Sequence, residues 1–140
     1  MKAKHYLMQI EKTDRMIQNK IAEVEYWKAI ASGTTANTDG ERVQSSGSQQ
    51  KMADAVNKYV DIEREIDQAI DRLIDLRQEI IQTIEMLKNV DHYDVLYKRY
   101  VLYKEYYEIE EEMQKSHSWV TKVHGKALLD VQKILNERGE

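Results

Sequence analysis

No proline occurs anywhere in this chain of 140 residues, and three of its five glycines, Gly33, Gly40 and Gly47, fall inside one short window. A multistranded protein needs turn residues at every chain reversal, and only that window offers them. An all-β sandwich or barrel is therefore all but excluded. The abundance of Ala, Leu, Ile, Lys, Glu and Gln points to long helices, and the length allows one ordinary domain's worth of core. The expectation is an all-α chain.

The absence of cysteine removes disulfides, thiolate metal sites and cysteine nucleophiles, and it fits a reducing, cytoplasmic setting. Polar residues recur within every turn of the opening Met1-Lys2-Ala3-Lys4-His5-Tyr6-Leu7, so no signal sequence is expected. No apolar run approaches the roughly 20 residues that span a bilayer, so no membrane partner is expected. A net charge of −4 gives no global attraction to nucleic acid. Any such partner must be met by a local patch.

From Leu7, the positions Leu7, Ile10, Asp14, Ile17, Ile21, Val24, Lys28 and Ala31 alternate steps of three and four, a heptad seam with polar interruptions at Asp14 and Lys28. This predicts a first helix over residues 3 to 32. Residues 33 to 50 carry one strong hydrophobe, Val43, and cannot bury enough apolar surface to offset about 1 to 2 kcal/mol of backbone entropy per residue. They read as a long polar linker, with Ser48 placed to cap the next helix. That second helix is expected from about Gln49 to Asn89, with Met52, Val56, Tyr59, Ile62, Ile66, Ile70, Leu73, Leu76, Ile80, Ile84 and Leu87 at helical spacing. At about 1.5 Å per residue it reaches roughly 60 Å, more than the first helix can cover. The stripe predicts self-association, or packing of its second half against the C-terminal segment. Its other face alternates Asp and Glu with Arg and reads as solvated.

Asp91 is placed to cap a third helix over 92 to 104, followed by helices at about 106 to 114 and 117 to 137. The chain thus divides into a long antiparallel helical hairpin, coiled-coil-like, over residues 1–90, and a three-helix unit over 91–140. Six of the nine tyrosines crowd into residues 93 to 107. Either tyrosine there stands in for the phenylalanine this chain lacks, with rings packed inward and hydroxyls reaching water, or the cluster is an aromatic surface for stacking bases or binding a partner.

Ile109 and Met113 form the inner face of a short helix, Gln114-Lys115-Ser116 a compact polar turn, and Val120, Val123, Ala127 and Leu128 the inner face of the next helix. Two short helices joined this way describe a helix-turn-helix, whose second helix lies in the major groove. Ser118, Thr121, Lys122, Gly125 and Lys126 then point away from the inner face, where hydroxyls and lysines meet base edges and phosphates and Gly125 permits close backbone approach. Trp119 either packs or stacks. Residues 115 to 138 hold five bases (Lys115, Lys122, Lys126, Lys133, Arg138) against Asp130 and Glu137, a local excess that favours duplex DNA in a chain acidic overall. Residues 105 to 112, by contrast, hold five glutamates and no base.

The runs Asp94-Val95-Leu96-Tyr97-Lys98-Arg99-Tyr100, Tyr107-Glu108-Ile109, Ser116-His117-Ser118-Trp119-Val120 and His124-Gly125-Lys126-Ala127-Leu128 are similar to region four of sigma-70-type factors. More closely, the chain resembles the small sigma-like late-transcription regulators, of the ArpU and RinA type, encoded by phages and prophages of Gram-positive bacteria. Gly40-Glu41-Arg42-Val43-Gln44-Ser45-Ser46-Gly47, followed by Met52, resembles a segment such proteins carry before their long helix. The resemblance covers most of the chain. It implies a DNA-binding transcription regulator in the cytoplasm of a bacterial host, reading a promoter or operator with its C-terminal unit. The hairpin would serve as a homodimer interface or contact RNA polymerase.

Three positions depart from that pattern, which has a small residue at Glu110, a glycine-like turn residue at Gln114 and an aliphatic at Lys115. A carboxylate at the packed position must swing outward or open the helix angle, because burying it unpaired costs several kcal/mol. The glutamate run also suggests an alternative, a helical interaction protein that binds and modulates a host or phage protein without touching DNA.

Catalysis finds little to use. His117 and His124 share a helix face but sit roughly 10 Å apart, too far for one metal ion. There is no Glu-x-x-His pair, phosphate-binding glycine loop or nucleophile elbow. No enzyme activity, metal, cofactor or small-molecule substrate is expected.

Overall fold

The computed structural model describes residues 1–33 and 46–139, and the chain is all-α, with no strand among the described residues. The elements are α1 (Ala3–Leu7), α2 (Gln9–Ala31), α3 (Ser46–Glu85), α4 (Val90–Leu96) continued by a π turn (Tyr97–Val101), α5 (Tyr106–Met113) and α6 (His117–Glu137). Packing divides them into two units, Met1–Thr13 with Leu73–Glu140, and Asp14–Arg72. Among the described residues no helix is long and apolar enough to cross a membrane.

In the Asp14–Arg72 unit, α2 buries Ile17 and Val24 while α3 buries Ala55 and Ala69. Whole heptads separate the members of each pair, and the alanines leave room for close approach. Ion pairs flank the seam, from Lys20 Nζ to Glu65 at 2.8 Å and from Lys28 Nζ to Glu63 at 3.6 Å. Lys28 and Lys58 also lie over the rings of Tyr59 and Trp27. These contacts are solvent-exposed and worth less than about 1 kcal/mol each, so they set register more than stability. Ile21, expected in the seam, is 39% exposed. The mixed charges of α3 are exposed, in keeping with a solvated face.

The other unit holds the main core. Leu7 and Ile10 meet Ile80 and Ile84 of α3, Leu96, Tyr100 and Val101, and Ala127, Val131 and Leu135 of α6. The second half of the long helix therefore packs against the C-terminal helices, one of the two outcomes its stripe allows. A second cluster joins Val95, Ile109 and Val120, each completely buried. At about 1.5 to 3 kcal/mol per buried side chain, this small cluster is what holds α5 onto α4 and α6.

One polar chain crosses the main core. Arg138 Nη1 donates to Thr83 Oγ1 at 2.9 Å, the Thr83 and Tyr6 hydroxyls lie 2.8 Å apart, and Tyr6 donates to Glu79 Oε2 at 2.8 Å. Thr83 is fully buried, so this sequence of bonds is what makes its hydroxyl tolerable there. Desolvation raises the Tyr6 phenol above its ordinary value, keeping it a donor.

Several boundaries differ from expectation. The first helix is interrupted at Met8, where ψ relaxes to −8°. The second begins at Ser46, so Ser48 is a helical residue and not its cap, and it ends at Glu85. Residues 34–45 of the expected linker, including Gly40, Arg42, Val43, Gln44 and Ser45, lie outside the described residues. Asn89, not Asp91, caps α4, its side chain accepting from the Asp91 and His92 N–H groups at 2.8 and 3.2 Å. The helix expected to run to 104 changes at Tyr97 into a π turn, and that wider turn lets Leu96, Tyr100 and Val101 all reach one core. Tyr103 then adopts φ +59°, which no α-helix can continue through.

Candidate nucleic-acid interface

The expected pair of C-terminal helices is present at Tyr106–Met113 and His117–Glu137. Each start has a local cause. Glu105 and Glu108 form a reciprocal capping box at α5, with Glu108 Oε1 accepting from the Glu105 N–H at 2.9 Å. Ser116 caps α6, its hydroxyl accepting from the Trp119 N–H at 3.1 Å. Between them Gln114 closes α5 in the left-handed region, at φ +55° and ψ +48°. Glycine takes that conformation without penalty; glutamine carries a cost of about 1 kcal/mol there.

Glu110 swings outward. Its carboxylate lies 2.6 Å from His117 Nδ1, so the departure at this position is met by a partner across the turn. The remaining glutamates of α5 are also largely engaged. Glu112 receives both Lys98, at 2.9 Å, and Lys104, and these bonds hold its carboxyl below the usual range. Lys98 lies on the π turn and Lys104 just beyond it, so the carboxylate ties α5 back to that segment. Arg99 stacks over the Tyr106 ring at 4.9 Å and donates to the Lys104 carbonyl at 2.9 Å.

The tyrosine-rich stretch is mostly structural. Tyr100 is buried, and its hydroxyl lies 2.7 Å from His124 Nε2. Burial pushes the Tyr100 phenol up to about 12. Burial, with the Lys4 and Arg99 charges, pushes His124 down to about 4, so the imidazole is neutral at pH 7. Tyr106 stands edge-on to both His124 and His117, at 5.6 and 6.4 Å. Tyr107 is the exception, at 67% exposed. Among the described residues no group of three or more His, Asp or Glu side chains is arranged to hold a metal ion.

On α6, Ser118, Thr121, Lys122, Gly125 and Lys126 share the exposed face. Thr121 Oγ1 bonds back to the His117 and Ser118 carbonyls at 3.0 and 3.1 Å, which orients the hydroxyl along the helix. Gly125 is bare: a Cβ added there meets nothing within 4 Å. Trp119 turns away from this face. It packs against the Val95–Ile109–Val120 cluster and lies beneath Lys115 Nζ at 5.0 Å.

Leu129 and Lys133 extend the exposed row, and reasoning from the sequence did not single them out as site residues. Steps of four, three and four from Lys122 through Lys126 and Leu129 would have found them. Lys122, Lys126 and Lys133 pair with no carboxylate among the described residues. The face is therefore a line of three available ammonium groups with small residues at its N-terminal end. No family model matches this chain, and no curated protein or solved structure matches it.

Proposed function

We propose that the chain is a DNA-binding transcription regulator of the sigma-like phage type, in which α5, the Gln114–Ser116 turn and α6 act as a helix-turn-helix. α6 enters the major groove of a promoter or operator in a bacterial host. The observation that carries this reading is the exposed face of α6, where Lys122 and Lys126 lie unpaired beside Ser118, Thr121 and Gly125. The glutamates that would repel phosphate from α5 are largely occupied by Lys98, Lys104, His117 and the α5 cap, which removes much of the objection they raise. In this reading α2 and α3 form the hairpin, which dimerises or meets RNA polymerase.

Fluorescence anisotropy with labelled duplex DNA tests the assignment. Binding weakens with salt at a slope near −0.9 per phosphate contacted, or about −2 to −3 for the three lysines. Lys122→Glu abolishes binding without lowering the melting temperature; retained affinity overturns the assignment. The second reading, a helical interaction protein that leaves DNA alone, is favoured by exposed Tyr107 and by Glu111 on the outer side of α5. It is supported instead if the chain ignores duplex DNA at low salt and co-purifies with polymerase or another host protein.

A further inference from the structure

The Asp14–Arg72 unit carries a groove of about 420 Å³ between α2 and α3. Ile21, Val24 and Ile66 line its floor, and Glu25, Glu63 and Asp67 its rim together with Lys28. Glu63 is already tied to Lys28, whereas Glu25 and Asp67 pair with no cation among the described residues. Ile21 stays 39% exposed in a position where the heptad pattern asks for a buried side chain. The groove is thus apolar at its base and, with Lys28 neutralised by Glu63, net anionic at its edge through Glu25 and Asp67. A surface that completes it is apolar at its centre and cationic beside it.

The chain itself presents such a surface. Leu129 is 65% exposed at the middle of the α6 outer face, with Lys126 one turn before it and Lys133 one turn after. An exposed leucine between two unpaired lysines, in a shallow depression that they share with His92 and Asn136, complements in polarity and in charge three aliphatic side chains edged by the unpaired Glu25 and Asp67.

We infer that the groove receives Leu129, with Lys126 and Lys133, from α6 of a second copy of the chain. The contact is heterologous: it joins two different surfaces, so each copy offers one of each. Leu129 enters between Ile21 and Ile66, while Lys126 and Lys133 meet Glu25 and Asp67. It stands independently of DNA binding, because both surfaces are defined without reference to a nucleic acid. Where the DNA-binding reading also holds, the same face of α6 serves both partners, and self-association and DNA binding exclude each other.

Sedimentation velocity without DNA tests this. The wild-type chain associates at about 50 mM salt and dissociates at about 500 mM, where screening reaches within a few ångströms of each charge. Leu129→Glu and Asp67→Lys each give a monomer at low salt, with helical content unchanged by circular dichroism, since both positions are exposed. The decisive arm mixes the two variants. Leu129→Glu keeps an intact groove and Asp67→Lys keeps an intact α6, so an equimolar mixture recovers an association that neither shows alone. A wild-type monomer at low salt overturns the inference, and so does association that survives Leu129→Glu. A mixture that stays monomeric, the result for a symmetric interface between identical patches, overturns it as well. Loss of DNA binding by Lys122→Glu has no bearing on any of these outcomes.

Discussion

Glu110 and His117 face each other across the Gln114–Ser116 turn, with the carboxylate 2.6 Å from Nδ1. They join the last turn of α5 to the first residue of α6, where a small side chain would leave the two helices merely in contact. Glu110→Ala removes a partly exposed pair and costs about 1 kcal/mol, a fall of a few degrees in Tm. It also removes a negative charge beside the proposed phosphate-facing helix, so affinity for duplex DNA rises about two- to fivefold at low salt. Calorimetry and anisotropy on the same variant check both.

Gln114 is a non-glycine residue held at φ +55° by the turn after α5. Gln114→Gly relieves that conformation at an exposed site and stabilises the fold by about 1 kcal/mol. A rise of about 2 to 6 °C in thermal denaturation is expected. An unchanged or lower Tm would show that the glutamine side chain contributes something the turn geometry does not reveal.

His124 makes stability depend on pH. Its imidazole is held down to about 4 in the folded chain against about 6.5 when unfolded, so between those values the unfolded state binds more protons. Stability is therefore full above about pH 6.5 and declines as the pH falls toward 4, with a loss on the order of 2 kcal/mol. His124→Phe removes this component of the pH dependence. Urea denaturation at pH 7 and pH 5 measures the slope, which should be shallower in the variant.

Thr83 sits between Arg138 and Tyr6 in the polar chain that crosses the main core. Thr83→Val keeps the shape but strands the Tyr6 hydroxyl on Glu79 alone and removes the hydroxyl acceptor of Arg138, which keeps only the Met86 sulfur. The expected loss is about 1 to 3 kcal/mol. Tyr6→Phe in the same background costs less than in the wild-type chain, because the two hydroxyls act as one unit, and a double-mutant cycle reads that coupling.

The limits of sequence reading track the range of the interactions involved. Residues such as Ser116, Val120, Val123 and Ala127 declare α6 within two turns of chain, and its bounds were legible to the residue. The outward placement of Ser118, Thr121, Lys122, Gly125 and Lys126 comes from the same helical angle. The π turn at Tyr97 was hidden, because it is set by a core whose members lie as far away as Leu7 and Leu135. The Tyr6–Thr83 bond spans 77 residues and leaves no local trace. Asp91 was the expected cap, and Asn89 takes the role because the backbone is already extended there, two residues earlier. Trp119 could be placed on packing rather than stacking only once the Val95–Ile109–Val120 cluster was formed.

Gly125 carries a consequence of another kind. An added methyl group there meets nothing within 4 Å among the described residues beyond the helix's own backbone, and glycine within a helix costs about 1 kcal/mol relative to alanine. No internal contact asks for the glycine, so α6 holds a weakness that one substitution corrects. Gly125→Ala raises the Tm by about 2 to 6 °C and, under the proposed DNA-binding reading, places its methyl group toward the groove, lowering affinity. At this position a screen that rewards thermal tolerance and one that rewards recognition would select opposite residues.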